Sequence, residues 1–231
     1  MKIGVIVFPG SNCDHDMIYA MRTILGHNVV SLWHKATDLQ KCDIIAVPGG
    51  FSYGDYLRSG AIAKFSPIME KVVEFADKGG FVFGVCNGFQ ILCEAGLLPG
   101  TLLHNTNQKF ICKNQYIKAE NDNSAMTKYI SKQVLKIPIA HGEGRYFAPE
   151  DILQTLVLND QIIWRYCDEH GNLNEKANPN GSVMNIAGIC NQNKNVFGMM
   201  PHPERAADCE LQNIDGLEIL NSVVKFIENK G

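Results

Sequence analysis

Phe81-Val82-Phe83-Gly84-Val85-Cys86-Asn87-Gly88-Phe89-Gln90 is the stretch that decides the fold. Residues of strand character run into Gly-x-Cys-x-Gly, and a helix-compatible segment, 89–95, follows. This pattern is the cysteine form of a nucleophile elbow. A tight strand-to-helix turn lifts a reactive atom above a sheet and leaves it at a helix N-terminus. Gly84 and Gly88 suit such a turn because they lack Cβ atoms and tolerate strained dihedrals. Backbone N–H groups and the helix dipole at that position favour thiolate, the nucleophilic form of cysteine. A lone cysteine on an apolar strand is more often structural. The elbow therefore needs support from the rest of the chain.

Working outward, the first half alternates strand and helix patterns. Residues 3–8 form a continuous apolar run, as in a strand buried on both faces. Residues 14–25 show helical spacing at Met17, Ala20, Met21 and Ile24, with Asn12 placed to cap. Residues 29–33 and Ile44–Val47 read as the next strands. Ser66-Pro67 opens a helix that runs to Lys78, with serine as N-cap and Gly79-Gly80 beyond its end. Phe81–Val85 is the fourth strand. Repeated β-α units imply an α/β fold with an open, mostly parallel central sheet and helices on both faces. Such sheets hold ligands at their strand C-termini, where both Pro48-Gly49-Gly50 and Cys86 fall.

The second half is richer in strands and turns. Residues 109–119, 161–166, 186–190 and 196–200 read as strands, Asn178-Pro179-Asn180-Gly181 as a turn, and 216–229 as a closing amphipathic helix. With no linker and no internal repeat, residues 1–231 read as a single domain carrying a smaller β-rich extension.

The composition is that of a soluble globule: 231 residues, 45% hydrophobic and 19% charged. A net charge of −3, with no Lys/Arg cluster, argues against nucleic acid or a membrane surface as partner. Only six apolar-leaning residues follow Met1-Lys2, too few for a signal peptide or a membrane span. The eight cysteines are scattered without a Cys-x-x-Cys pair, so no zinc site is expected and a cytoplasmic protein with reduced thiols is.

A cysteine nucleophile needs a base, and the base needs an orienting group. Met199-Met200-Pro201-His202-Pro203-Glu204-Arg205 offers both. The flanking prolines bias the segment towards extended geometry, in which His202 and Glu204 share a face. The carboxylate then holds the imidazole. A solvated loop with an idle His and Glu is the plain alternative, but the cysteine elbow makes it the weaker reading. Ala46-Val47-Pro48-Gly49-Gly50-Phe51-Ser52-Tyr53-Gly54-Asp55 adds a glycine turn whose N–H groups, with that of Asn87, suit an oxyanion hole.

Gly84-Val85-Cys86-Asn87-Gly88-Phe89-Gln90 with Pro201-His202-Pro203-Glu204 resembles the signature of class I (triad) glutamine amidotransferases. Three blocks narrow the likeness to the small glutaminase subunits of phosphoribosylformylglycinamidine synthases. They are 48–58, Ile139-Ala140-His141-Gly142-Glu143-Gly144-Arg145-Tyr146, and Met199 to Arg205. The resemblance implies a flavodoxin-like sheet and hydrolysis of L-glutamine at Cys86 through a γ-glutamyl thioester. His202 would move protons and Glu204 would orient it. Gly50, Phe51, Asn87, Gln90 and His141 would surround the substrate. Glu143 and Arg145 read equally well as a surface ion pair.

The resemblance also implies that ammonia passes to a large ATP-dependent synthase subunit, with a small bridging subunit as a further partner. No phosphate-binding Gly-x-x-x-x-Gly-Lys motif and no carboxylate cluster suited to Mg²⁺ occur here. ATP and Mg²⁺ are thus expected on the partner, and no metal or cofactor in this chain. Rival readings are a glutaminase subunit of another pathway, a cysteine hydrolase of the same superfamily, or a flavodoxin-like binding module.

Overall fold

The computed structural model describes residues 1–229. In chain order they form β1 (Lys2–Val7), α1 (Asp14–Tyr19), β2 (Asn28–Trp33), β3 (Ile44–Val47), α2 (Pro67–Asp77), β4 (Phe81–Val85) and α3 (Asn87–Glu94). There follow β5 (Thr101–Leu103), β6 (Ile111–Ala119), β7 (Val134–His141), β8 (Arg145–Phe147), α4 (Glu150–Leu158), β9 (Ile162–Cys167), β10 (Ile186–Cys190), β11 (Val196–Met199) and α5 (Asp215–Glu228). Contacts divide the chain into two compact units, residues 1–99 with 195–198, and residues 100–194 with 199 onward. Among the described residues no helix is long and apolar enough to cross a membrane.

The first unit is the α/β part anticipated from the sequence. Its strands run in the order β2-β1-β3-β4-β11. β1 pairs in parallel with β2 and with β3, and β3 in parallel with β4. The continuous apolar runs behave as strands covered on both faces: every residue of β3 and β4 is buried. β2, at the sheet edge, buries Val29 and Leu32 and leaves Trp33 half exposed. The helix expected over 14–25 splits, with α1 passing into a π-turn at Ala20–Ile24.

Two caps differ from expectation. Cys13, not Asn12, occupies the N-cap of α1. Ser66 stands at the N-cap of α2 but makes no side-chain cap. Its hydroxyl instead meets Tyr53 Oη at 2.9 Å.

The second unit is the β-rich part, with strand order β10-β9-β6-β7, antiparallel throughout, and β5 paired with β8. Four of its elements, β5, β7, β8 and α4, carry no expectation from the sequence. β7 reads Val-Leu-Lys-Ile-Pro-Ile-Ala-His and buries Leu135, Ile137, Ile139 and His141 on one face. Pro138 obscures that alternation because proline cannot donate to a ladder. β7 tolerates it by lying at the end of the strand order.

Candidate active site

The first unit carries Cys86 where β4 ends and α3 begins. Its backbone stands at φ +53°, ψ −109°, outside the left-handed helical well. Such a conformation costs about 1–3 kcal/mol and persists only where its surroundings dictate it. Here packing does so. A Cβ on Gly88 would lie 1.8 Å from the Val47 carbonyl oxygen, and one on Gly84 would lie 2.6 Å from the Gly88 carbonyl carbon. Both glycines are thus required for close approach of α3 to β3 and β4. The strained dihedrals belong to the cysteine itself.

Asn87 ties this turn to the loop after β3. Its Oδ1 accepts from the Ser52 N–H at 3.2 Å. Its Nδ2 donates to Asp55 Oδ1 at 3.1 Å and to Gln90 Oε1 at 2.9 Å. Arg58, further along the loop, pairs at 2.6 Å with Glu94 near the other end of α3. The loop is therefore fastened to both ends of the helix that follows the cysteine. Gly50 has φ +120°, and a Cβ there would meet the Asn12 backbone nitrogen at 2.6 Å. Phe51 keeps its ring half exposed, whereas Gln90 is buried. Gly50, Phe51, Asn87 and Gln90 all lie with Cys86 in the first unit.

None of the eight cysteines is in a disulfide. Burial pushes the thiols of Cys42 and Cys93 up, that of Cys167 up to about 11 and that of Cys190 up to about 12, which leaves these four as inert thiols.

The second unit carries His202, Glu204 and His141. The His202 N–H donates to the Pro138 carbonyl of β7 at 2.8 Å, and Met200 N–H to the Ala187 carbonyl at 2.9 Å. These bonds hold the segment that leaves β11. It is not extended, as the prolines had suggested: Pro203–Ala206 is a 3₁₀ turn with proline at its start. The pair forms across this turn, His202 Nδ1 to Glu204 Oε1 at 2.6 Å, with both side chains buried. Because an ionised carboxylate only accepts, Nδ1 carries the proton and Nε2 is the basic nitrogen.

His141 closes the buried face of β7. Burial, and then the charge of nearby His202, push it down to about 4. Its Nδ1 meets Asn105 Oδ1 at 3.2 Å. A Cβ on Gly144 would fall 2.3 Å from the imidazole, so only glycine lets the following loop fold over that ring. Glu143 lies 3.4 Å from His104 Nε2, and Arg145 Nε donates to the His104 carbonyl at 3.0 Å.

Asn105 and Pro138 escaped the sequence reading, in which Asp55 figures only as part of the loop after β3. The alternation of β7 would have placed His141 on a buried face and Pro138 at an edge. Asn105, in an aperiodic loop, offered no such signal.

Residues 1–219 match the CobB/CobQ-like glutamine amidotransferase domain. The chain is 54% identical over 97% of its length to the phosphoribosylformylglycinamidine synthase subunit PurQ of Koribacter versatilis, covering 97% of that protein. It is 55% identical over 99% of its length to the PurQ subunit of Moorella thermoacetica, again covering 97%. Among solved structures it is similar to a chain of PurLQS from Thermotoga maritima, with TM-score 0.85, 38% identity and 98% of each chain covered. A glutamine amidotransferase from Thermotoga maritima, 15% identical with TM-score 0.58 over 99% of this chain and 92% of that one, shares the fold.

Proposed function

The chain belongs to the CobB/CobQ-like glutamine amidotransferase family, and from that premise we propose that it is the glutaminase subunit of a synthase that makes formylglycinamidine ribonucleotide in de novo purine biosynthesis. The near-full-length identity to PurQ subunits supports the pathway. The observation that carries the chemistry is the strained, glycine-packed elbow that presents Cys86.

In the working enzyme Cys86, His202 and Glu204 act as a triad. The Cys86 sulfur attacks the side-chain carboxamide carbon of L-glutamine, with its proton passing to His202 Nε2. The C–S bond forms, the C–N bond breaks, and the departing nitrogen takes the proton from Nε2 as ammonia. Water then attacks the thioester carbonyl and gives its proton to Nε2. Glutamate leaves and the thiol is restored. Glu204, holding Nδ1–H at 2.6 Å, keeps Nε2 basic and steadies the imidazolium in both steps. General acid–base catalysis of this kind is worth about 10²–10⁴-fold. The N–H of Asn87 and the Gly49-Gly50 turn stabilise the oxyanion, each donor contributing about 3 kcal/mol. Gly50, Phe51, Gln90 and His141 bound the substrate.

Ammonia passes to a large ATP-dependent synthase subunit, and a small bridging subunit completes the complex. The similarity to a PurLQS chain supports this assembly. ATP and Mg²⁺ belong to the synthase subunit, and this chain works without a cofactor of its own. Eight cysteines without a disulfide suit a reducing cytoplasm.

The test is glutamate release from glutamine by the chain alone, and after addition of the synthase partner with ATP and formylglycinamide ribonucleotide. Strong stimulation by that mixture, absent in Cys86→Ala, is the expected result. Cys86-dependent release indifferent to the partner mixture would move the subunit to another pathway.

A further inference from the structure

Asn105 is fully buried, and every hydrogen-bonding position of its amide is used. Nδ2 donates to the Lys109 carbonyl at 2.8 Å and to the His141 carbonyl at 2.9 Å. Oδ1 accepts from the Gly144 N–H at 3.1 Å and faces His141 Nδ1 at 3.2 Å. Two carbonyls on one side and a backbone N–H on the other leave the amide one orientation. Since Oδ1 cannot donate, the imidazole must, and the proton of His141 sits on Nδ1.

The consequence falls on the other ring nitrogen. Nε2 of His141 is buried and has no hydrogen-bond partner among the described residues. In the tautomer that Asn105 imposes, Nε2 is a bare lone pair. A buried acceptor without a donor is costly unless a ligand supplies the donor. The protein also keeps this nitrogen from picking up a proton of its own, because burial and the neighbouring His202 hold the ring neutral at physiological pH. The donor that would satisfy it is an N–H group brought by a ligand, and glutamine offers two kinds, its carboxamide and its α-ammonium.

We propose that Asn105 is a positioning residue for the substrate. By holding His141 in the Nδ1–H form it reserves His141 Nε2 as the acceptor for an N–H of bound glutamine. The proposal rests on the glutaminase reading above, which places His141 against the substrate. Asn105 serves the same loop in a second way. Through Gly144 it holds the turn that covers the imidazole, while Asn180 Nδ2 holds the same turn from the Gly144 carbonyl at 2.8 Å and makes no hydrogen bond to His141. The two asparagines therefore separate loop support from tautomer control.

The experiment has two arms. In the first, the full chain is labelled with ¹⁵N-histidine, the His141 signals are identified by their loss in His141→Gln, and the two ring nitrogens are classed as protonated or bare. The wild type and Asn180→Ala are expected to show a protonated Nδ1 and a bare Nε2. Asn105→Ala is expected to lose that preference, and Asn105→Asp, which keeps the accepting oxygen, to retain it. In the second arm, the complex with the synthase subunit is assayed for glutamine hydrolysis. Asn105→Ala should raise KM for glutamine about tenfold with kcat little changed, the loss expected of one buried hydrogen bond. Asn180→Ala should leave KM near the wild-type value.

A wild-type His141 protonated at Nε2 overturns the proposal whether or not Asn105→Ala folds. An Asn105→Ala chain whose tautomer shifts while KM stays constant overturns the link to substrate. Absence of glutamine hydrolysis by the wild-type complex overturns the glutaminase reading itself. The tautomer arm is decided separately from that outcome.

Discussion

In the first unit the backbone fixes the candidate nucleophile, and in the second side chains fix the candidate imidazoles. Cys86 stands at φ +53°, ψ −109° because α3 approaches β3 closely enough for a Gly88 Cβ to fall 1.8 Å from Val47 O. The turn itself aims the sulfur. His202 and His141 are instead aimed by hydrogen bonds, to Glu204 at 2.6 Å and to Asn105 at 3.2 Å. The chemistry proposed above would explain the division of labour. A thiolate must point one lone pair along one trajectory, and rigid backbone supplies that most firmly. A proton shuttle must also choose which nitrogen carries its proton, and only a polar partner can make that choice.

Breaking the backbone side has the largest expected effect. Gly88→Ala drives a methyl group into a backbone carbonyl that cannot swing aside. The elbow should fail to form, with a stability loss beyond about 3 kcal/mol and no measurable turnover. Thermal melting and glutaminase assay check both. A well-folded, active Gly88→Ala protein would remove the packing explanation for the strained cysteine.

Breaking the side-chain side should cost rate and spare the fold. Glu204→Gln keeps the shape but deprives His202 of its anionic partner. We expect kcat to fall by about 10²–10⁴, by analogy with carboxylate-to-amide changes in other triads. The melting temperature should move little. Kinetics and melting measured on the same preparation separate this outcome from unfolding.

A smaller effect sharpens the electrostatic half of the contrast. His141 is pushed down to about 4, while the unfolded chain protonates it near its ordinary value of about 6.5. The folded state thus binds fewer protons. The stabilisation is complete above the unfolded value and fades as pH falls towards the folded one. This group alone should account for about 2 kcal/mol of lost stability between pH 7 and 5. Denaturant melts of wild type and His141→Gln across that interval should diverge accordingly, with the flatter profile in the variant.

The smallest effect separates ordinary turns from functional strain. Lys194 has φ +53°, like Cys86, but sits in a turn closed by its N–H to the Asn191 carbonyl at 3.1 Å. Lys194→Gly should change stability by no more than about 0.5 kcal/mol, since relief of left-handed strain and the greater entropy of an unfolded glycine nearly cancel. Equilibrium unfolding resolves a shift of that size, and a larger one would show that positive φ is costly wherever it occurs.

The same contrast governs what could be read from the sequence. The continuous apolar runs of β3 and β4 and the Gly-x-Cys-x-Gly pattern state local facts about a buried strand and a tight turn. Ile44–Val47 and Phe81–Val85 accordingly fall where expected. His202 and Glu204 were legible as neighbours in sequence, though through the wrong geometry: a 3₁₀ turn, not an extended strand, brings them together. The partners that set the second unit's electrostatics are remote in sequence. Asn105 is 36 residues from His141, and Pro138 reaches His202 from another strand. Hydropathy and spacing carry no information about such pairs. Ser66 makes the same point in the first unit: its place at a helix start is visible, but the use of its hydroxyl by Tyr53 is not.

The central claim is that Cys86 is the nucleophile. The most direct measurement is to incubate the complex with isotopically labelled glutamine, quench it in acid and map the label by peptide mass spectrometry. The account predicts a glutamyl adduct on the peptide containing Cys86, with none in Cys86→Ala. Label on a different cysteine, or full glutamate release by Cys86→Ala, would contradict it.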